Sequence, residues 1–342
     1  MKALLAFAAA VAILLAPTSS EAAKKKKTKK GGDAEIELVE VRSYHVWAGE
    51  GTLFAGQTAG LALYDVSEPD SPKESWRLPL RATVLDVAVD GERGFLAAGS
   101  HGLFLLDLAD PAAPSVVQRY DPPGKVRRLL VWNDLVYLAE SREGLGVVDV
   151  SEPDRPMRVA SAGTSNEIFA LARDGELLAT AEGQAGVRVF DLHRPKYPRE
   201  IVWIASAEGA RDVAFADGRL LVAAQRRGLL LYDLTEPRSP KLLAEVPPMS
   251  KAQSVVSFGK LALVANGEAG LQVVDPFALE GEWELAAFQL PKGYPAGRIG
   301  VSGSRAFVAI DRWGFAIVEL SDPRAPEVLY PRERTFQISF PK

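Results

Sequence analysis

LALYD (61–65), LFLLD (103–107), LGVVD (145–149), VRVFD (187–191), LLLYD (229–233), LQVVD (271–275) and FAIVE (315–319) are seven copies of one short strand. Their closing acids, Asp65, Asp107, Asp149, Asp191, Asp233, Asp275 and Glu319, are 42 residues apart five times and then 44. A glycine precedes every run, from Gly60 to Gly314. A period this regular means one supersecondary unit copied and stacked.

The second copy shows what the unit is. TVLDVAV (83–89) and GFLAAG (94–99) read as strands separated by the tight turn Asp90-Gly91. Ser100-His101-Gly102 turns the chain into LFLLDL (103–108), and ADPAAP (109–114) turns it again into SVVQRY (115–120). Turn residues at each reversal predict a four-stranded antiparallel meander. The last turn recurs as SEPDSP (67–72), SEPDRP (151–156), HRPKYP (193–198), TEPRSP (235–240) and SDPRAP (321–326), while unit six has PFALEGEWE (276–284) and predicts a local remodelling. Paired prolines forbid continuation of a strand.

The third strand of each unit is apolar at consecutive positions, as in a sheet covered on both faces. Seven sheets packed radially, each against two neighbours, meet that requirement, and the fold class is an all-β, seven-bladed β-propeller. An open solenoid would need polar capping repeats at its ends, and neither end unit is less apolar than the middle. For ring closure, EIELVEV (35–41), EVLYPRE (327–333) and TFQISF (335–340) compete for outermost positions, and pairing of the two termini within one blade is expected.

The flanks carry different information. Lys2, the apolar run 3–16 and Ser20-Glu21-Ala22 predict a signal peptide over 1–22, cleaved before Ala23, followed by a lysine-rich linker over 23–34 and the propeller over 35–342. Export to the periplasm, extracellular space or cell surface is the expectation, with no later transmembrane segment. The chain has no cysteine, which excludes a lipoprotein anchor, disulfides and thiolate chemistry. KKKKTKK (24–30) reads as a solvated tether, with weak contact to an anionic surface as the sharper reading. The chain carries −4 overall; its six tether lysines contribute +6 and residues 1–22 sum to zero, so 31–342 carry −10. An acidic body argues against nucleic-acid binding.

The glycine, the five-residue run ending in an acid and the double-proline turn resemble the LVIVD-repeat family over about 44–326. Unit six lacks the prolines and unit seven has Glu319 for Asp. The resemblance implies a propeller that is exported or surface-attached in bacteria or archaea, and it transfers no catalytic residue.

The seven repeated carboxylates read as caps of the turns that follow them, because one acid per blade cannot converge on a metal. His45, His101 and His193 fall in different parts of the repeat, so neither a histidine metal site nor a triad is expected. Neither a metal nor a cofactor is expected. The position 21 residues before each closing acid is more informative: Tyr44, Asp86, Arg128, Ala170, Asp212, Ser254 and Arg298, a ring expected to face the central channel. Balanced charges there serve the scaffold, and a small polar ligand would sit at the same place. The turns before the glycines vary within a constant frame and carry Arg142, Arg226, Arg227, Arg312 and Trp313, candidates for protein contact.

These readings favour a non-catalytic, monomeric binder of an envelope protein or polymer. The alternatives are a hydrolase or lyase acting on a sugar or lactone, with Asp86 or Asp212 as base and Arg128 or Arg298 as anion clamp, and a structural spacer.

Overall fold

The computed structural model describes residues 42–331 apart from 50, 111–112, 142, 165 and 279–280. The signal-peptide and linker segments expected over 1–34 lie outside the described residues. Seven four-stranded antiparallel sheets follow one another along the chain, over 43–79, 86–120, 126–162, 170–204, 212–246, 254–288 and 299–330. Blade two is typical: Asp86–Asp90 innermost, then Arg93–Ala97, Leu103–Asp107 and Ser115–Tyr120 outermost. Residues 83–85, read from sequence as strand, are instead the entry segment, anchored where Val84 N–H donates 2.9 Å to the Gln57 carbonyl of blade one.

Every first strand touches the first strand of the next blade, and the circle closes from blade seven back to blade one. The core is divided accordingly. Each of seven buried apolar clusters lies between one pair of adjacent blades. Consecutive apolar residues in the third strand are thereby explained, since alternate side chains face opposite neighbours. At the seam, Val46, Leu53 and Ala55 of blade one pack against Phe307, Phe315 and Ile317 of blade seven.

Closure within the described residues draws on each blade's own strands. Among the described residues no blade mixes strands from both termini: Glu327–Tyr330 completes blade seven as its own outermost strand. The proline turn at 321–326 already returns the chain alongside Phe315–Glu319, so no borrowed strand is needed. Packing and the 2.8 Å bond from Ser43 N–H to the Asp311 carbonyl close the ring. The segments 35–41 and 335–340 lie outside the described residues.

The repeated signature residues are structural. Each closing acid accepts a hydrogen bond from the backbone N–H two residues on, at 2.8–3.2 Å, in all seven blades. Gly102 has φ 79°, and a Cβ there would lie 2.2 Å from the Tyr120 carbonyl oxygen, so the third strand can meet the fourth only through glycine. In unit six the remodelled segment is held by Arg219 of blade five, which donates to the Pro276 carbonyl and lies 4.3 Å over the Phe277 ring. Among the described residues no helix is long and apolar enough to cross a membrane.

Candidate functional site

The chain enters each innermost strand at one face of the ring, and the turns between second and third strands lie on that same entry face. Backbone bridges demonstrate this, joining Gly99 to Val126, Gly183 to Ala210, Gln225 to Ala252, Gly267 to Ala296 and Asp311 to Ser43. Turn of one blade thus meets entry of the next. The acid-capped proline turns lie at the opposite ends of the strands.

Just inside the entry face sits the ring read from sequence. Asp212 is its most heavily bonded member. Its Oδ1 lies 2.6 Å from Arg298 and accepts from Val213 N–H at 3.0 Å; its Oδ2 accepts from Ser254 Oγ at 2.6 Å and Val255 N–H at 3.0 Å. Arg298 of blade seven also donates 2.8 Å to the Phe169 carbonyl at the entry to blade four, so it spans the channel. Asp86 accepts from Val87 N–H and Leu129 N–H at 3.1 and 3.0 Å, with His45 Nδ1 3.0 Å from its Oδ1. Burial pushes the His45 imidazole down to about 4, against the pull of Asp86 and with the push of Arg128 and Arg298. The imidazole is neutral at pH 7. Arg128 donates to the Leu85 and Arg127 carbonyls at 2.8 Å each, and burial followed by the Arg298 charge brings its guanidinium down to about 10.

Blade one departs from the repeat frame. The link between its second and third strands is one residue shorter, with 57–60 between Gly56 and Leu61 against 98–102 between Ala97 and Leu103, so His45 facing Gly56, rather than Tyr44, is the counterpart of the Asp86–Ala97 pair. Counting back 21 residues from Asp65 therefore lands one residue early, on Tyr44. Tyr44 lies at the register shift between Ser43 and His45 and lines the mouth; His45 supplies the contact to Asp86.

Above the ring opens a cavity of about 420 Å³, lined by Tyr44, Arg127, Arg128, Phe169, Arg211 and Arg298, with Ser254, Gln253 and Asp311 on its wall. Phe169 is an aromatic platform carrying the Arg211 guanidinium at 4.3 Å and that of Arg127 at 5.9 Å. Arg127 pairs with Glu167 at 2.6 Å and Asp311 with Arg42 at 3.5 Å. Arg211 is shifted below the usual guanidinium range by burial first and by Arg127 next. Sequence reasoning missed Arg127, Phe169, Arg211 and Gln253, although they share the 42-residue frame one position before the ring.

The turn residues divide. Arg227 is committed to the scaffold through Glu245 and the Ser206 carbonyl. Arg226 is exposed. Trp313 is 43% exposed and stacks on Tyr294 at 5.1 Å, with the Arg312 guanidinium 5.1 Å over its ring. Arg142 lies outside the described residues. A second set that sequence reasoning missed lies inside the blades. Glu140, fully buried, pairs with Arg158 at 2.6 Å, and buried Glu182 pairs with Arg188 at 3.1 Å. A Cβ on Gly146 would fall 2.1 Å from Glu140 Oε1, so this glycine makes room for the pair. Burial raises the Glu140 carboxyl.

Segments 83–122, 123–164 and 293–329 match the family model described as LVIVD repeat. The chain carries LVIVD repeats. The three matched segments fall on the second, third and seventh blades of the ring. No curated protein matches the chain. Among solved structures, the computationally designed protein Ika8 aligns with a TM-score of 0.61 at 10% identity, over 80% of this chain and 82% of its own. A chain of the mitotic checkpoint complex aligns at 0.67 and 12% identity, over 85% and 98%. PorZ, an essential bacterial surface component of the type-IX secretion system of Porphyromonas gingivalis, aligns at 0.60 and 15% identity over 85% of this chain but 38% of its own. At such identities the likeness shows the fold.

Proposed function

We propose that this LVIVD propeller is an exported, non-catalytic binding protein that recognises a component of the cell envelope at its entry face. One observation carries the reading: the open channel mouth and the exposed, sequence-variable turn residues Arg226 and Trp313 share that face. The opposite ends of the strands carry capped turns of one repeated design. Asp212 supports binding over general-base chemistry, because four donors already engage its two oxygens. The apolar run 3–16 and the absence of cysteine support export without a lipid anchor.

The test is retention of an envelope component by immobilised protein starting at Ala23, compared with a variant carrying Arg226→Glu and Trp313→Ala. Arg227 is left intact because it is bonded to Glu245 and the Ser206 carbonyl. A component kept by the wild type and lost by the variant, with unchanged circular dichroism, is the expected result. Equal retention would refute the assignment of this face. Export is tested separately by fusing residues 1–34 to alkaline phosphatase, and an inactive fusion would refute it.

A further inference from the structure

The mouth has more specific chemistry than a generic groove. Of its four arginines, Arg127 is matched by Glu167 and Arg298 by Asp212. Arg211 rests on the Phe169 ring, and Arg128 is turned toward backbone carbonyls with its Nε buried and without a hydrogen-bond partner. The acid that acts most strongly on Arg128 is Asp86, whose oxygens are occupied by Val87 N–H, Leu129 N–H and the approach of His45. The acid on the wall, Asp311, faces Arg42. Two guanidinium groups therefore border the cavity without a dedicated carboxylate. This occurs in a body that carries −10 over residues 31–342, where positive charge is locally concentrated against the overall balance.

The geometry points to an oxyanion site: the mouth takes the carboxylate or phosphate of a small polar ligand, held by Arg211 and Arg128 over Phe169. This rests on the entry-face reading above and names the ligand chemistry. Guanidinium groups match both oxyanions through paired N–H donors. A cavity of about 420 Å³ accommodates the headgroup of a small ligand. The aromatic platform beneath Arg211 fixes the plane of its fork, and Tyr44, Gln253 and Ser254 line the wall with groups able to bond ligand hydroxyls. The burial of Arg128 and Arg211 among like charges, which draws both below their ordinary range, is relieved by a bound anion.

The probes are inorganic phosphate, glucose 6-phosphate, glucuronate and neutral glucose, titrated calorimetrically against the protein starting at Ala23 at low ionic strength. Both anionic sugars, or one of them, bind at least about tenfold more tightly than glucose, and Arg211→Ala weakens that binding by about tenfold or more. Tighter binding of the phosphate compound assigns a phosphorylated ligand; tighter binding of glucuronate assigns a carboxylate one; equal binding assigns a site for either. Arg211→Lys, which keeps charge but loses the fork, retains intermediate affinity and guards against misfolding of the alanine variant. No anion binding above that of glucose overturns the proposal, as does binding unchanged in both Arg211 variants. The Arg226→Glu/Trp313→Ala protein keeps anion binding, so envelope retention equal to that of the wild type, with anion binding intact, would count against the wider face and leave this site standing. Intact retention with no anion binding would remove only this site.

Discussion

Replacing Asp212 by Asn is the sharpest probe of how the ring is held. The change is nearly isosteric, yet it exchanges a carboxylate that accepts four bonds for an amide with one oxygen. If that oxygen stays with Ser254 and Val255, the amide NH2 points at Arg298, donor against donor. The Asp212 side chain is 6% exposed and that of Arg298 15%, so little water reaches the orphaned charge. Breaking a buried pair from one side costs about 3–5 kcal/mol. With an m-value of about 3 kcal/mol/M, the urea midpoint falls by about 1 M or more. Arg298→Met alone leaves Asp212 still bonded to two N–H groups and one hydroxyl, and costs less. In the double variant the orphaned cation is gone, so the two changes are non-additive by about 1–3 kcal/mol. The assay is equilibrium urea unfolding of all four proteins followed by tryptophan fluorescence. Additive effects, or an Asp212→Asn protein within about 0.5 kcal/mol of the wild type, would refute the view that this pair ties blades five and seven across the channel.

Other expectations follow from single features. Gly102→Ala destabilises far more than Gly314→Ala: both have positive φ, but a Cβ at 102 lies 2.2 Å from a backbone oxygen whereas nothing is within 4 Å at 314; thermal unfolding of the two variants decides. The His45 ring protons titrate near pH 4 in an NMR series. Because that folded value lies below the unfolded value of about 6.5, the unfolded chain binds the extra proton between them. Stability therefore rises with pH through that window, and His45→Gln flattens the slope measured by urea unfolding. Lys196 and then Ser151 hold the Asp149 carboxyl down to about 2, so its contribution is present above the ordinary carboxylate range and disappears as pH falls toward 2. Asp149→Asn accordingly narrows its stability deficit relative to the wild type in acid titrations.

The fold was legible because the repeat imposes one environment on every copy. An acid that caps the second residue onward and a glycine that clears the fourth strand recur because the backbone geometry recurs. Legibility failed where a blade breaks the count. The distance of Tyr44 from Asp65 matches the frame, but the link between the second and third strands of blade one is one residue short, which puts His45 at the ring position instead. The Glu140–Arg158 pair was hidden for another reason. Its partners stand 18 residues apart on the second and fourth strands, and only the register of the intervening strand brings them together. Arg227 read as a display residue because an exposed arginine and a paired one look alike in sequence; Glu245 on the facing strand distinguishes them.

Two adjacent positions of the 42-residue frame account for how a symmetric ring acquires an asymmetric site. In the inner layer, Asp86, Arg128, Asp212 and Arg298 alternate in sign around the channel, and contacts such as Arg298 to Asp212 let the layer serve as internal bracing. One residue earlier the frame reads Leu85, Arg127, Phe169, Arg211, Gln253 and Gly297. Were that position the same in every blade, the mouth would be a uniform collar with no preferred ligand orientation. Instead the aromatic and the two basic residues fall on three consecutive blades, and the other residues at this position, Leu85, Gln253 and Gly297, are uncharged. A ligand whose anionic end lies on the Arg127–Phe169–Arg211 side and whose neutral part faces Gln253 and Gly297 is accommodated in one orientation. The variation that the repeat tolerates least elsewhere is concentrated in this layer, where it breaks the symmetry that the scaffold otherwise keeps.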